Sequence, residues 1–144
     1  MIRKLEPKDI PKVMQIWLEG NIQAHPFVPK DHWLSHYASV EEQLMQADVF
    51  VYEKDQAIQG FVGMSDDYLA GIFVEKNCRS MGIGKTLLEY IKKSYPTFSL
   101  HVYEKNKRAL NFYLREGGRI VSNEVDHDTG EAEYFIAWNF PCME

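Results

Sequence analysis

Apolar positions along this chain fall into two rhythms, and the switches between them predict its elements. A short strand covers residues 2–5, and a helix starts at Pro7–Asp9. Ile10, Val13, Met14 and Trp17 recur on one face of that helix, with Gly20 as its predicted stop. The stretch 21–30, NIQAHPFVPK, places two prolines among polar and aromatic residues and reads as a loop. Asp31 is the predicted cap of a second helix bearing Trp33, Leu34, Tyr37, Val40 and Leu44. VFVYEKDQAIQGFVGMS, residues 49–65, gives two strands about a Lys-Asp-Gln turn, and YLAGIFVE, residues 68–75, reads as a buried strand. A helix over 83–94 is closed by Pro96, and FSLHVY, residues 98–103, is again a strand. Asn106 opens a helix with Ala109, Leu110, Phe112, Tyr113 and Leu114, which Gly117-Gly118 ends. RIVSNEV, the turn DHDTG and EAEYFIAWNF make a closing hairpin.

The order is therefore β-α-α-β-β-β-α-β-α-β-β, an α/β domain around a mixed central sheet. Hairpins in the middle and at the end argue against a fully parallel doubly wound sheet. No repeat, low-complexity tract or Gly/Ser linker divides residues 1–144, so a single domain is expected.

Composition narrows the function classes. Hydrophobic residues make up 45% and charged residues 26%, the mixture of a soluble globular chain. A formal charge of −5 argues against a nucleic-acid binder and suits a cationic or amine partner. Cys78 and Cys142 form neither a disulfide framework nor a zinc pattern, so reduced thiols are expected. The N-terminal MIRKLEPKDI lacks the apolar core of a signal peptide, and no apolar run approaches the roughly 20 residues of a membrane helix. The expectation is a cytoplasmic protein with no membrane or nucleic-acid partner, a monomer or a homodimer.

The chemistry starts at RSMGIGKTLL, residues 79–88, where close glycines open into a helix as in phosphate-gripping loops. Gly84-Lys85-Thr86 matches the tail of a triphosphate loop, but Arg79 stands where its leading glycine belongs. Gly82 and Gly84 begin a dinucleotide fingerprint, but Leu87 takes its third glycine position, and three strands and two helices precede it. What remains is R-x-x-G-x-G, met by Arg79, Gly82 and Gly84. Further on, NKRALNFYLREGG places Asn106, Ala109, Phe112, Tyr113 and Gly117 in an N-x-x-A-x-x-F-Y-x-x-x-G pattern.

These two motifs and the element order resemble the GCN5-related N-acetyltransferases, the GNAT fold, over essentially the whole chain. The narrower likeness is to bacterial single-domain members acting on lysine or N-terminal amines. The resemblance implies acetyl-CoA as cosubstrate, no metal, and acetyl transfer to a primary amine by direct attack in a ternary complex. It places the pyrophosphate on the backbone of Arg79, Ser80, Met81, Gly82, Ile83, Gly84 and Lys85, with the Arg79 and Lys85 side chains in support. It places the pantetheine arm against Phe73, Val74, Asn106, Ala109 and Phe112. One departure stands out: Gly118 replaces the phenylalanine that closes the second motif.

Transfer to an amine needs a neutral nucleophile, a polarised thioester and a proton for the leaving thiolate. Tyr113 matches the family's proton donor; a phenol titrates near 10 and stays protonated at neutral pH. Where an acetyltransferase branch carries a glutamate in L-E-V, this chain has LHV, which makes His101 a candidate base, since histidine titrates near pH 7. Glu104 is the alternative base at the same strand end. A buried strand histidine and a core tyrosine are what these residues amount to without the motif.

The acceptor is expected between the 21–33 segment and the last hairpin. His25, Phe27 and Trp33 would form an aromatic wall for an amine and its alkyl stem. A His25–His32 metal pair lacks a third ligand at suitable spacing. The acidic EVDHDTGE turn could attract a cation. A protein amine leads over a small amine such as a polyamine, amino acid or antibiotic, and a non-catalytic CoA-binding module is the rival of another class.

Overall fold

A computed structural model describes residues 1–79 and 81–139. Ser80, Phe140 and Cys142, which figure in the sequence reading, lie outside the described residues. In chain order the elements are β1 (Ile2–Lys4), α1 (Ile10–Ala24), α2 (Lys30–Leu44), β2 (Asp48–Lys54), β3 (Ala57–Ser65), β4 (Tyr68–Val74), α3 (Ile83–Ser94), β5 (Thr97–Tyr103), α4 (Lys107–Arg115), β6 (Arg119–Val125) and β7 (Ala132–Asn139). This is the expected order, and the seven strands form one mixed sheet arranged β1-β2-β3-β4-β5-β7-β6.

β3 is an interior strand, and residues 60–64 are all buried because helices cover both faces of the sheet there. On one face, Val13, Met14 and Ile16 of α1 and Leu44 of α2 pack over Val49, Val51, Ile58 and Phe61. On the other, Leu87, Leu88 and Ile91 of α3 meet Val62, Met64, Leu100 and Ile136. Each of these three α3 side chains is fully buried, worth about 1.5–3 kcal/mol apiece. They recur at i, i+1 and i+4, so α3 has one apolar face and its polar face stays in water.

Several local expectations need correction. Gly20 does not stop α1, which runs on to Ala24. A Cβ there would lie 3.1 Å from Phe73 Cδ1, so this glycine lets helix and strand approach closely. The helix ends at His25, before Pro26, so only residues 25–29 of the predicted loop are irregular. Asp31 is not a cap: Pro29 precedes the helix, no side chain caps it, and Asp31 lies in its first turn, where its charge favours the helix dipole. Leu34 and Leu114 are exposed rather than core. β4 is not the buried strand its composition suggests; only Leu69 is buried, because one flank of the strand borders an open cleft.

Gly118 finds its explanation in β7. A Cβ at that position would lie 2.7 Å from Ile136 Cγ2 and 2.7 Å from Trp138 Cζ2. The Trp138 indole occupies that space, stacked on Phe98 with centroids 4.7 Å apart and donating from Nε1 to the Glu116 carbonyl at 3.2 Å. The aromatic volume the motif normally places after its glycine is thus supplied from β7. Gly118→Phe, which restores the family residue, is therefore expected to cost about 1–3 kcal/mol through overpacking. Adding Trp138→Ala should recover part of that loss in a denaturant-unfolding cycle; strictly additive losses would refute the exchange of volume.

Candidate active site

The site is made by a sheet that comes apart. β4 and β5 are parallel neighbours, yet they share one register pair, Tyr68↔Ser99, held by the Ser99 N–H on the Asp67 carbonyl at 3.1 Å. Beyond it, β4 stays paired with β3 up to Val74↔Gly60, and β5 stays paired with β7 up to Tyr103↔Glu133. The two strands therefore diverge, and each turns an unpaired backbone edge toward the other. Backbone N–H and C=O groups require partners. A wedge lined by two such edges offers amide-matching hydrogen bonds to a slender ligand.

The wedge is part of a cleft of about 1260 Å³. Its walls bring together Phe73 and Val74, Arg79, Gly82–Lys85, Asn106, Ala109, Phe112, Tyr113 and His101, together with His25, Phe27 and Trp33. Sequence reasoning had assigned these residues to cofactor, chemistry and acceptor, and one continuous surface holds them all. Met81 is 62% exposed and does not line the cleft. Glu104 does not line it either: its carboxylate accepts from Asn123 Nδ2 of β6 at 3.3 Å, and its backbone N–H bonds the Ala132 carbonyl. The alternative base is thus turned toward the closing hairpin, away from the wedge.

At the phosphate end, Gly82 adopts φ +80°, a left-handed conformation that suits glycine, and leads straight into α3. Having no side chain, it caps nothing, so the first-turn N–H groups of α3 stay available. Thr86 is exposed and bonds back along its own helix, its hydroxyl donating to the Gly82 carbonyl at 2.9 Å, which fixes the loop. A Cβ on Gly82 would meet nothing within 4 Å, so the space above the loop is open. Free N–H groups at a positive helix end beside Arg79 fit a pyrophosphate, and the bare strand edges fit pantetheine amides. Lys85 lies 3.9 Å from Glu116, with most of its side chain in solvent.

At the other end, Tyr113 is 8% exposed and wedged against Phe112 and Trp138. Burial drives its pKa well above that of a free phenol, and Tyr68 adds to the shift, so its hydroxyl is a firm proton holder. Asn106 caps α4 as expected, accepting from the Ala109 N–H at 3.2 Å.

His101 has company that the sequence did not reveal. Tyr68 Oη lies 2.7 Å from its Nδ1, Glu124 Oε1 lies 3.2 Å from its Nε2, and Glu133 Oε2 is 3.9 Å away. Carboxylates accept, so Nε2 carries a hydrogen, and Nδ1 of the neutral ring accepts from the Tyr68 hydroxyl. Burial, with the nearby Glu133, pushes the Tyr68 pKa up to about 12, so that hydroxyl keeps its proton. Ser122 and His101 hold the Glu124 carboxyl below its ordinary value, whereas burial raises that of Glu133. Tyr68, Glu124 and Glu133 belong to no motif. They meet His101 only through the register of four strands, β4 to β7, which no local pattern encodes.

Known proteins carry the same architecture. The family model described as "Acetyltransferase (GNAT) family" matches residues 10–118. Over 140 residues the chain is 33% identical to the peptidyl-lysine N-acetyltransferase YiaC of Escherichia coli, covering 96% of both proteins. It is 24% identical over 132 residues to the peptidyl-lysine N-acetyltransferase YjaB of the same organism, covering 90% of this chain and 89% of YjaB. The solution structure of apo YjaB from Escherichia coli superposes with a TM-score of 0.84 at 20% identity, covering 99% of this chain and 98% of the other. The PaiA N-acetyltransferase of Thermoplasma acidophilum, solved with coenzyme A, gives 0.79 at 17% identity, covering 97% and 98%. With motif, wedge and whole-length similarity in agreement, the chain belongs to the GNAT family of acetyl-CoA-dependent N-acetyltransferases.

Proposed function

We propose that this chain acetylates lysine side chains of peptides or proteins by direct attack in a ternary complex. The observation that carries the reading is the β4–β5 wedge, with the proton-holding Tyr113 and the base candidate His101 both on its walls. Acetyl-CoA supplies an activated thioester. The chain's own residues must bind the cationic amine, neutralise it and keep a proton ready for the leaving group.

An acidic surface suits the first task. Glu124, Asp126, Asp128 and Glu133 line an open concavity beside His101. An ammonium group would be drawn there, where it would stand near the base. For the second task, His101 accepts a proton at Nδ1, and the Tyr68 hydroxyl at 2.7 Å is a path by which that proton arrives. The resulting imidazolium would be stabilised by Glu124 and Glu133. For the third, Tyr113 holds a proton in a nearly water-free spot. Tyr68 hydrogen-bonds His101 on the β5 side of the wedge.

The peptide acceptor is favoured over a small amine on two grounds. Relatives that align along the chain are named for peptidyl-lysine. The acceptor end is also broad, joining the aromatic wall to the acidic hairpin, as a flanking chain requires. The test is a panel of lysine peptides, N-terminal peptides, polyamines and aminoglycosides, with product read by mass spectrometry. Lysine peptides are expected to give the highest kcat/KM; preference for a polyamine or an aminoglycoside would overturn the assignment.

Tyr113→Phe is expected to lower kcat by about 100-fold or more while the KM for acetyl-CoA stays within about twofold. Turnover at the wild-type rate would remove Tyr113 from the chemistry. His101→Gln should lower kcat/KM for the peptide by about 100-fold while CoA affinity stays unchanged. Wild-type kcat/KM in His101→Gln would assign the base elsewhere.

A further inference from the structure

Two side chains on the acceptor wall carry buried polar atoms that bond to nothing: His25 Nδ1 and Trp33 Nε1. Their rings are neighbours, with centroids 5.3 Å apart. Both line the cleft, and Trp33 is only 8% exposed.

The hydrogen-bond chain around His25 settles what its free nitrogen is. The Ala109 N–H is a donor, so Asn106 meets it with Oδ1. Asn106 Nδ2 therefore faces His25 Nε2, at 3.2 Å, and donates to it. The lone pair is on Nε2 and the hydrogen on Nδ1. Burial keeps the ring neutral, lowering its pKa to about 4 against the opposing Asn21 carbonyl; that carbonyl accepts the His25 backbone N–H at 3.0 Å, and the ring Nδ1 makes no hydrogen bond of its own. The indole Nε1–H of Trp33 is a donor only. Two adjacent N–H groups thus ask for one thing, a lone pair, and among the described residues neither receives one. Leaving a buried donor unsatisfied is costly, and such costs persist where a ligand relieves them.

The chemistry selects the ligand group. It is an acceptor, so the ammonium of the substrate is not what sits here. With no positive charge in this pair and with Glu133 lining the same cleft, a free carboxylate is disfavoured, and a neutral carbonyl fits. Phe27 and Tyr103 extend the wall, with His25–Tyr103 centroids 4.9 Å apart and Phe27–Tyr103 centroids 5.5 Å apart. Lys105 Nζ rests over the Phe27 ring at 5.4 Å, so the outer part of this wall carries a cation.

We propose that His25 Nδ1–H and Trp33 Nε1–H form a two-donor subsite for a backbone carbonyl of the acceptor peptide, next to the lysine being acetylated. The inference rests on the peptide-lysine reading and deepens it. It makes the substrate's main chain, as well as its amine, part of recognition.

The test compares a lysine peptide with cadaverine, which has the lysine side chain without the backbone carbonyl. Trp33→Phe keeps a ring and deletes the donor. It should lower kcat/KM for the peptide by about 5–30-fold more than for cadaverine. CoA affinity by calorimetry should stay unchanged, and the melting temperature should hold or rise because an orphan donor is gone. His25→Asn, which keeps an N–H near the Nδ1 position, should retain more peptide activity than His25→Leu. Equal losses on both amines, weakened CoA binding or a lower melting temperature would each overturn the subsite. Wild-type protein that acetylates cadaverine but no lysine peptide would overturn the underlying peptide reading instead, and the subsite with it.

Discussion

Everything functional in this fold depends on one pair of strands that stop pairing. A sheet gains from continuing its ladder, and β4 and β5 are adjacent and parallel, yet after Tyr68↔Ser99 the ladder ends. Each strand is anchored on its far side, β4 by β3 and β5 by β7, so neither edge can swing back without breaking an intact ladder. The helices hold the opening. α1 packs on β4 through the close approach of Gly20 and Phe73, and Phe73 stacks on Phe61. α3 closes the opposite face with Leu87, Leu88 and Ile91. The unsatisfied edges are what a cofactor with amide groups can repair.

The wedge also sets the electrostatics. Its closed end carries Tyr68, Tyr113 and His101, and the same burial that completes the core raises both phenols. Core packing and proton storage are therefore one feature at Tyr113: the ring belongs to the hydrophobic cluster, and the same burial keeps the proton on its hydroxyl beside the cleft. The acidic hairpin stands beside His101, where its carboxylates would draw in a cation. His25 joins the aromatic wall to α4, since its Nε2 accepts from the residue that caps that helix.

Much of this was legible in the residues, and the remainder was hidden for identifiable reasons. Element order followed from periodicity, and Gly82, Asn106 and Tyr113 followed from motifs whose backbone roles are local. Gly20 misled because a glycine that ends a helix and one that admits a neighbouring ring look alike in sequence. YLAGIFV looked like a buried strand because composition cannot tell a core flank from a cleft flank. Spacing alone offers Glu104 as the alternative to His101; in the fold Glu104 lies in the turn after β5 and bonds Asn123 of β6, whereas His101 lines the cleft. Tyr68 and Glu133 escaped notice because their partnership with His101 is made across strands, at sequence separations no local rule spans. Gly118 looked like a defect until Trp138 was seen to fill its space.

The most direct measurement is calorimetric titration of the protein with acetyl-CoA and with Mg-ATP, repeated on Gly82→Trp. A left-handed glycine at the mouth of the wedge, with free helix N–H groups beside it, predicts that acetyl-CoA binds the wild-type protein and that Mg-ATP does not. It also predicts that the bulky residue abolishes acetyl-CoA binding without unfolding the chain, as checked by circular dichroism. Acetyl-CoA that binds Gly82→Trp as tightly as wild type would contradict the placement of the cofactor in the β4–β5 wedge, and with it the assignment of every residue along its walls.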